Sequence, residues 1–218
     1  PFEFNDTLFV FAVSDLLQDV EFKLTISIWS WQMIDEPLMT TSIWIKVPSQ
    51  TSVKVWQKGI DIILKSASCK DRSNCVATFS SVPDGKNNIA DRENNFAERE
   101  SSTPDIPTNL FYFTSLADAQ LINPNIQIYN ISLIPLYNEF LITIKSTALA
   151  PFVWLDSGKI PGRFSDNGFL ITQEFIQVVF YCWQPAMTVD ILKQALTVSS
   201  LYDVYVEPEF IDIEPVRN

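Results

Sequence analysis

The chain has 218 residues, a formal net charge of −11 and no histidine. So acidic a surface repels polyanions, which excludes nucleic acid as a partner, and without histidine neither Ser-His-Asp nor Cys-His catalysis can be assembled within it. Hydrophobic residues make up 47% and aromatics 13%, against 5 glycines and 13 prolines, a balance that suits packed strands and stiff turns rather than glycine-rich phosphate loops.

In chain order, Asn5-Asp6-Thr7 is an N-glycosylation sequon. Ser14-Asp15 ahead of LLQ is at most a helix- or turn-start signal. Phe22, Leu24, Ile26 and Ile28 then alternate with Lys23, Thr25 and Ser27, the mark of a strand with one wet face. Trp29 and Trp31 lie on the opposite parity from that inward set, which makes them candidates for an exposed aromatic surface stacking on sugar rings or on a neighbouring domain. Ile43, Ile45 and Val47 repeat the alternation and Pro48 closes the strand. The pattern leaves Trp44 and Trp56 between core and surface. Cys69 and Cys75 bracket a short polar run in CKDRSNC and either close a small disulfide loop, worth ~2 kcal/mol in lost chain entropy, or stand as two thiols on a turn. NCVATFSSV predicts another strand, ended by the turn signal PDG.

Residues 83–107 are polar, charged and poor in large apolar side chains, which predicts a long loop. We read it as an insertion between the last two strands of a first sandwich, with Phe111 and Phe113 in NLFYFTSL returning to complete the sheet. From Leu116 onward the strand pattern resumes in IQIYNISL, EFLITIKS, PFVWLD, NGFLIT, EFIQVVFYCW and LTVSSLYDVYV, with one short helical stretch expected over Asp190 to Leu196. Asn130-Ile131-Ser132 is a second sequon, and Asn167-Gly168 reads as the φ > 0 pair of a tight hairpin turn. Short strands without a βαβ rhythm predict an all-β protein of two tandem immunoglobulin-like β-sandwiches, residues 1–115 and 116–206, followed by an acidic tail over 207–218.

The tempting site is APFVWLDSGKIPGRFSDNGFLI. Hydrolysis by paired carboxylates needs two carboxyls within a few ångströms of a shared substrate, and Asp156 and Asp166 are the tempting pair. Both stand beside glycine-bearing turns, where aspartate caps backbone N–H groups, so the expectation is a sandwich corner with no catalytic residue. Arg163 is expected to be a solvated or salt-bridged loop arginine, Trp154 a core residue and Cys182, in the apolar run FYCW, a buried thiol. No metal constellation is visible, no cofactor is expected, and no apolar run approaches the ~20 residues of a membrane span. The two sequons and the close cysteine pair point to a secretory route. PFEFNDT has no signal-peptide features, which suggests a piece of something longer.

The same stretch, with FYCWQP and SSLYDVY after it and with FVFAVSDLLQDVEFKLTISIWSW, CVATFSS and PTNLFYF before it, closely resembles the C-terminal end of animal lysosomal β-mannosidases, retaining enzymes of the glycoside hydrolase family 2 type. The likeness weakens only in the polar insertion and the acidic tail, and Cys182 stands where the vertebrate pattern has proline. The resemblance implies a lysosomal multi-domain enzyme that removes terminal β-linked mannose from glycans. Its catalytic glutamates would belong to a barrel preceding this region. This chain would be inactive alone and would buttress that barrel, its partners being the upstream domains and, for the whole enzyme, β-mannoside glycans.

Overall fold

A computed structural model describes residues 1–81, 107–134 and 138–205. The expected loop at 83–107, apart from Pro107, and the expected tail at 207–218 lie outside the described residues. The chain divides into two compact units, Pro1–Leu121 and Ile122–Asn218. Both are built from antiparallel strands in immunoglobulin-like sandwiches.

In the first unit the strands are β1 (Phe2–Phe4), β2 (Thr7–Val13), β3 (Val20–Ser30), β4 (Met39–Val47) and β5 (Ser52–Gly59). A helix, α1 (Ile60–Ser66), precedes β6 (Cys75–Ser80) and β7 (Asn109–Tyr112). Sheet β1-β2-β5 carries Leu8 and Val10 into the core, and sheet β4-β3-β6-β7 answers with Phe22, Leu24, Ile26, Ile28 and Phe79. Period-two alternation along β3 thus puts one face in the core, as its sequence pattern requires. The segment after the undescribed stretch returns to the same sheet, β7 pairing with β6 from Val76↔Tyr112 to Phe79↔Asn109. The helix α1 was not foreseen. Its buried Ile60, Ile63 and Leu64 follow the i, i+3, i+4 spacing of a helix face.

The second unit holds β8 (Gln127–Ile134), β9 (Glu139–Lys145), β10 (Ala150–Asp156), β11 (Gly162–Phe164), β12 (Phe169–Ile171), β13 (Phe175–Cys182) and β14 (Thr197–Ser199). Its helices are α2 (Val189–Ala195) and α3 (Leu201–Tyr205). Its sheets are β12-β10-β14 and β11-β13-β9-β8. Phe140, Ile142, Ile144, Val153, Leu155 and Phe180 are buried at 0–1% exposure and form its interior.

Three expectations for this unit are corrected. LTVSSLYDVYV is not one strand: β14 ends at Ser199 and α3 begins at Leu201. The Ser200 backbone N–H donates to the Asp203 carboxylate at 2.6 Å and the Asp203 N–H to the Ser200 carbonyl, and this local capping overrides the apolar alternation. Trp154 is 55% exposed rather than in the core. Phe152 takes φ +52° where the β10–β12 register shifts, and this bulge turns Val153 and Leu155 inward and leaves Trp154 on the outer face. In Asn167-Gly168 only the glycine has positive φ, +78°, because the Asn167 side chain is tied to the neighbouring strand.

Candidate functional site

The stretch from Ala150 to Ile171 folds as β10, a turn, β11, a second turn and β12. The Asp156 carboxylate accepts the Gly158 N–H at 2.7 Å, and that of Asp166 accepts the Asn167 N–H at 2.8 Å. Asn167 closes the corner: its Oδ1 accepts the Leu155 N–H at 2.7 Å and its Nδ2 donates to the Leu155 carbonyl at 2.9 Å. An amide side chain here copies the donor–acceptor pair of a strand residue. The Ser165 hydroxyl accepts the Val179 N–H at 3.0 Å while its own N–H donates to the Val179 carbonyl at 2.7 Å. The Asp156, Ser165, Asp166 and Asn167 side chains thus each hydrogen-bond a backbone group, the arrangement of a corner between strands. Sequence reasoning saw Asn167 only as a turn residue. Arg163 is exposed, as expected, but sits on strand β11 rather than in a loop, with its guanidinium 4.4 Å from the Tyr181 ring centroid in a cation–π contact.

Elsewhere, a cleft of about 390 Å³ opens at one end of the first sandwich, lined by Val10, Leu16, Phe22, Val47 and Phe79 among others. Among the described residues, Asp15 is its one acidic lining residue. General-acid carboxyls in glycosidases sit where burial raises the pKa, whereas among the described residues Asp19 and Asp71 are held low. The Ser49 backbone N–H and then Lys46 hold Asp19 below its ordinary range, and the Ser73 hydroxyl does the same for Asp71. Among the described residues no group of three or more Cys, Asp and Glu is placed to hold a metal ion, and no helix is long and apolar enough to cross a membrane.

The tryptophan surface does not form. Trp31 is 1% exposed and stacks on Tyr112 with ring centroids 6.3 Å apart. Strand β3 ends at Ser30, so its alternation does not reach Trp31, whose backbone N–H donates to the Asn74 carbonyl at 3.0 Å as the chain turns inward. Trp29 is half-buried and its indole N–H donates to Thr78 Oγ1 at 3.0 Å. Among the described residues the exposed aromatics include Trp44 at 74%, Trp183 at 67%, Phe152 at 47%, and Phe2, which stacks on Phe9 and Phe11.

Cys69 and Cys75 are joined by a disulfide, and Cys182 is a buried free thiol. Within the disulfide loop Arg72 reaches Glu3 at 2.9 Å and Asp6 at 2.7 Å, clipping the β1–β2 turn to the loop. No sequence signal marked this clip beyond a cation between two cysteines. Asn5 lies in that turn at φ +48° and is exposed, and Asn130 is exposed on β8.

A profile described as the mannosidase Ig/CBM-like domain matches residues 6–115. The chain belongs to this family. A second profile, an Ig-fold domain of mannosidases, matches residues 121–204. The β-mannosidase of Mus musculus is 35% identical over 205 residues, and that of Capra hircus 34% over 205; each alignment covers 94% of this chain and 21% of the relative. The matched part is C-terminal in these relatives, and the chain spans about a fifth of their length. The crystal structure of β-D-mannosidase from Dictyoglomus thermophilum shares the fold, with a TM-score of 0.61 over 92% of this chain and 21% of that one at 17% identity. The region is thus homologous to the Ig/CBM-like part of β-mannosidases, and a free-standing sugar-binding module built on Trp29 and Trp31 is not favoured.

Proposed function

We propose that this chain is the non-catalytic C-terminal sandwich region of a β-mannosidase, an enzyme that hydrolyses terminal non-reducing β-D-mannose residues during glycoprotein breakdown in the lysosome. The observation that carries the reading is the alignment of 94% of the chain with one C-terminal fifth of the animal enzymes. It is supported by the two profiles, the mannosidase Ig/CBM-like domain over residues 6–115 and the Ig-fold domain over residues 121–204.

In this reading bond cleavage belongs to glutamates of a catalytic barrel outside these residues. The region acts mechanically, buttressing that barrel and closing its flank. Its partners are the other domains of the same enzyme, and the β-mannoside is a substrate of the whole. The disulfide, and sequons at Asn5 and Asn130, suit the oxidising secretory route by which lysosomal enzymes travel.

The test is a chromogenic β-mannoside offered separately to this chain and to the complete enzyme. The chain alone is expected to give no turnover and the complete enzyme to give it. Turnover by the isolated chain overturns the proposal.

A further inference from the structure

We propose that Asn130 carries an N-linked glycan, and that the outer face of sheet β11-β13-β9-β8 therefore faces solvent in the complete enzyme; the second half of this rests on the β-mannosidase reading above. The sequon Asn130-Ile131-Ser132 lies within β8, the edge strand of that sheet. Strand alternation sorts its three residues as glycosylation requires. Ile131 is 8% exposed and pairs with Ile142 in the core, while Asn130 and Ser132 are exposed on the opposite face. A bulky, hydrated glycan at Asn130 thus projects from the sheet without disturbing the interior.

Polar neighbours surround Asn130 on that face, although Leu141, opposite Ser132, and Val179 beyond it are apolar. Asn130 pairs with Thr143, and Thr143 with Gln177 on β13. Further along, Lys145 bridges Glu174 at 3.3 Å, and Arg163 lies over Tyr181. A strand edge with one side in the core and exposed polar residues on the other suits contact with solvent. The register shift between Ile128 and Asn130 adds a bulge at the edge, a device that turns edge strands away from unwanted pairing, and a glycan beside it would shield the exposed Tyr129. The other sheet differs: β10 shows Phe152 and Trp154 outward, an apolar face with no sequon.

The experiment uses the complete enzyme secreted from animal cells. It is treated under native conditions with the amidase that releases N-glycans and converts the carrier asparagine to aspartate, and the peptide holding residue 130 is weighed. The expected result is conversion at Asn130 in the native protein, abolished by Ser132→Ala, which leaves the asparagine in place but removes the acceptor motif. An unmodified Asn130 in the secreted protein overturns the proposal. So does a glycan released only after denaturation, because the face would then be covered. Activity on the β-mannoside, measured on the same sample, decides the enzyme reading separately: an active enzyme with bare Asn130 sinks only this inference.

Discussion

Gly162 is the position at which one methyl group should cost most. A Cβ there would lie 2.3 Å from Phe180 Cζ, 2.6 Å from its Cε2 and 2.6 Å from the Tyr181 carbonyl oxygen, where carbon atoms prefer 3.5–4.0 Å. The Phe180 ring is fully buried and packs on Phe164 with centroids 4.9 Å apart, so it has nowhere to retreat. Strand β11 must instead lift from β13, loosening the pairs Gly162↔Cys182 and Arg163↔Tyr181. Overpacking of this kind costs about 1–3 kcal/mol, and weakened ladder hydrogen bonds add about 1 kcal/mol each, so Gly162→Ala should destabilise the second unit by about 3 kcal/mol. For a unit of about a hundred residues this corresponds to a fall in Tm of roughly 10–25 °C. Thermal unfolding followed by circular dichroism on the full chain reads it directly. Gly168→Ala is the reference: its Cβ meets nothing within 4 Å, so only its φ of +78° is penalised, by about 1–2 kcal/mol. Phe180→Leu removes the two ring atoms in closest conflict, so the double variant with Gly162→Ala should be less destabilised than the sum of the singles. A Gly162→Ala protein that melts no lower than Gly168→Ala, or strict additivity in the double variant, refutes the reasoning.

The remaining predictions concern the first unit. Trp31→Ala should lower its stability by about 3–5 kcal/mol in urea unfolding, as for a buried aromatic, whereas Trp44→Ala at 74% exposure should stay within about 0.5 kcal/mol; equal effects contradict the placement of Trp31. Replacing both Cys69 and Cys75 by alanine should lower stability by about 2 kcal/mol relative to the oxidised protein, and an unchanged urea midpoint counts against the disulfide. Asp19 and Asp71 are held below the ordinary carboxylate value of 3.8 in the folded state. Their contribution is therefore fully present above about pH 4 and is lost as pH falls through the folded values. Melting temperature should hold from pH 7 to 5 and drop below pH 4, less steeply in Asp19→Asn; a steady loss between pH 7 and 5 contradicts this.

Much of the architecture was legible because strand burial writes a period of two into the chain. Phe22 to Ile28 and Phe140 to Ile144 each announce which face is buried, since a residue facing water and one facing a core differ in the free energy of exposing apolar surface. The turn role of Asp156 was legible for a similar reason: its partner, the Gly158 N–H, is two residues away, so local chemistry suffices.

Tertiary structure alone decided what depends on distant partners. Trp31 and Trp154 exchanged their expected places because one lies just past a strand end and the other just past a bulge, and a slip of a single residue reverses every side chain beyond it. Asn167 found Leu155, Arg72 found Glu3, and Gly162 found Phe180 only when the fold brought together strands and loops far apart in sequence. Periodicity reports which face of a segment is apolar. It carries no record of which neighbour that segment meets, and that choice is made by packing.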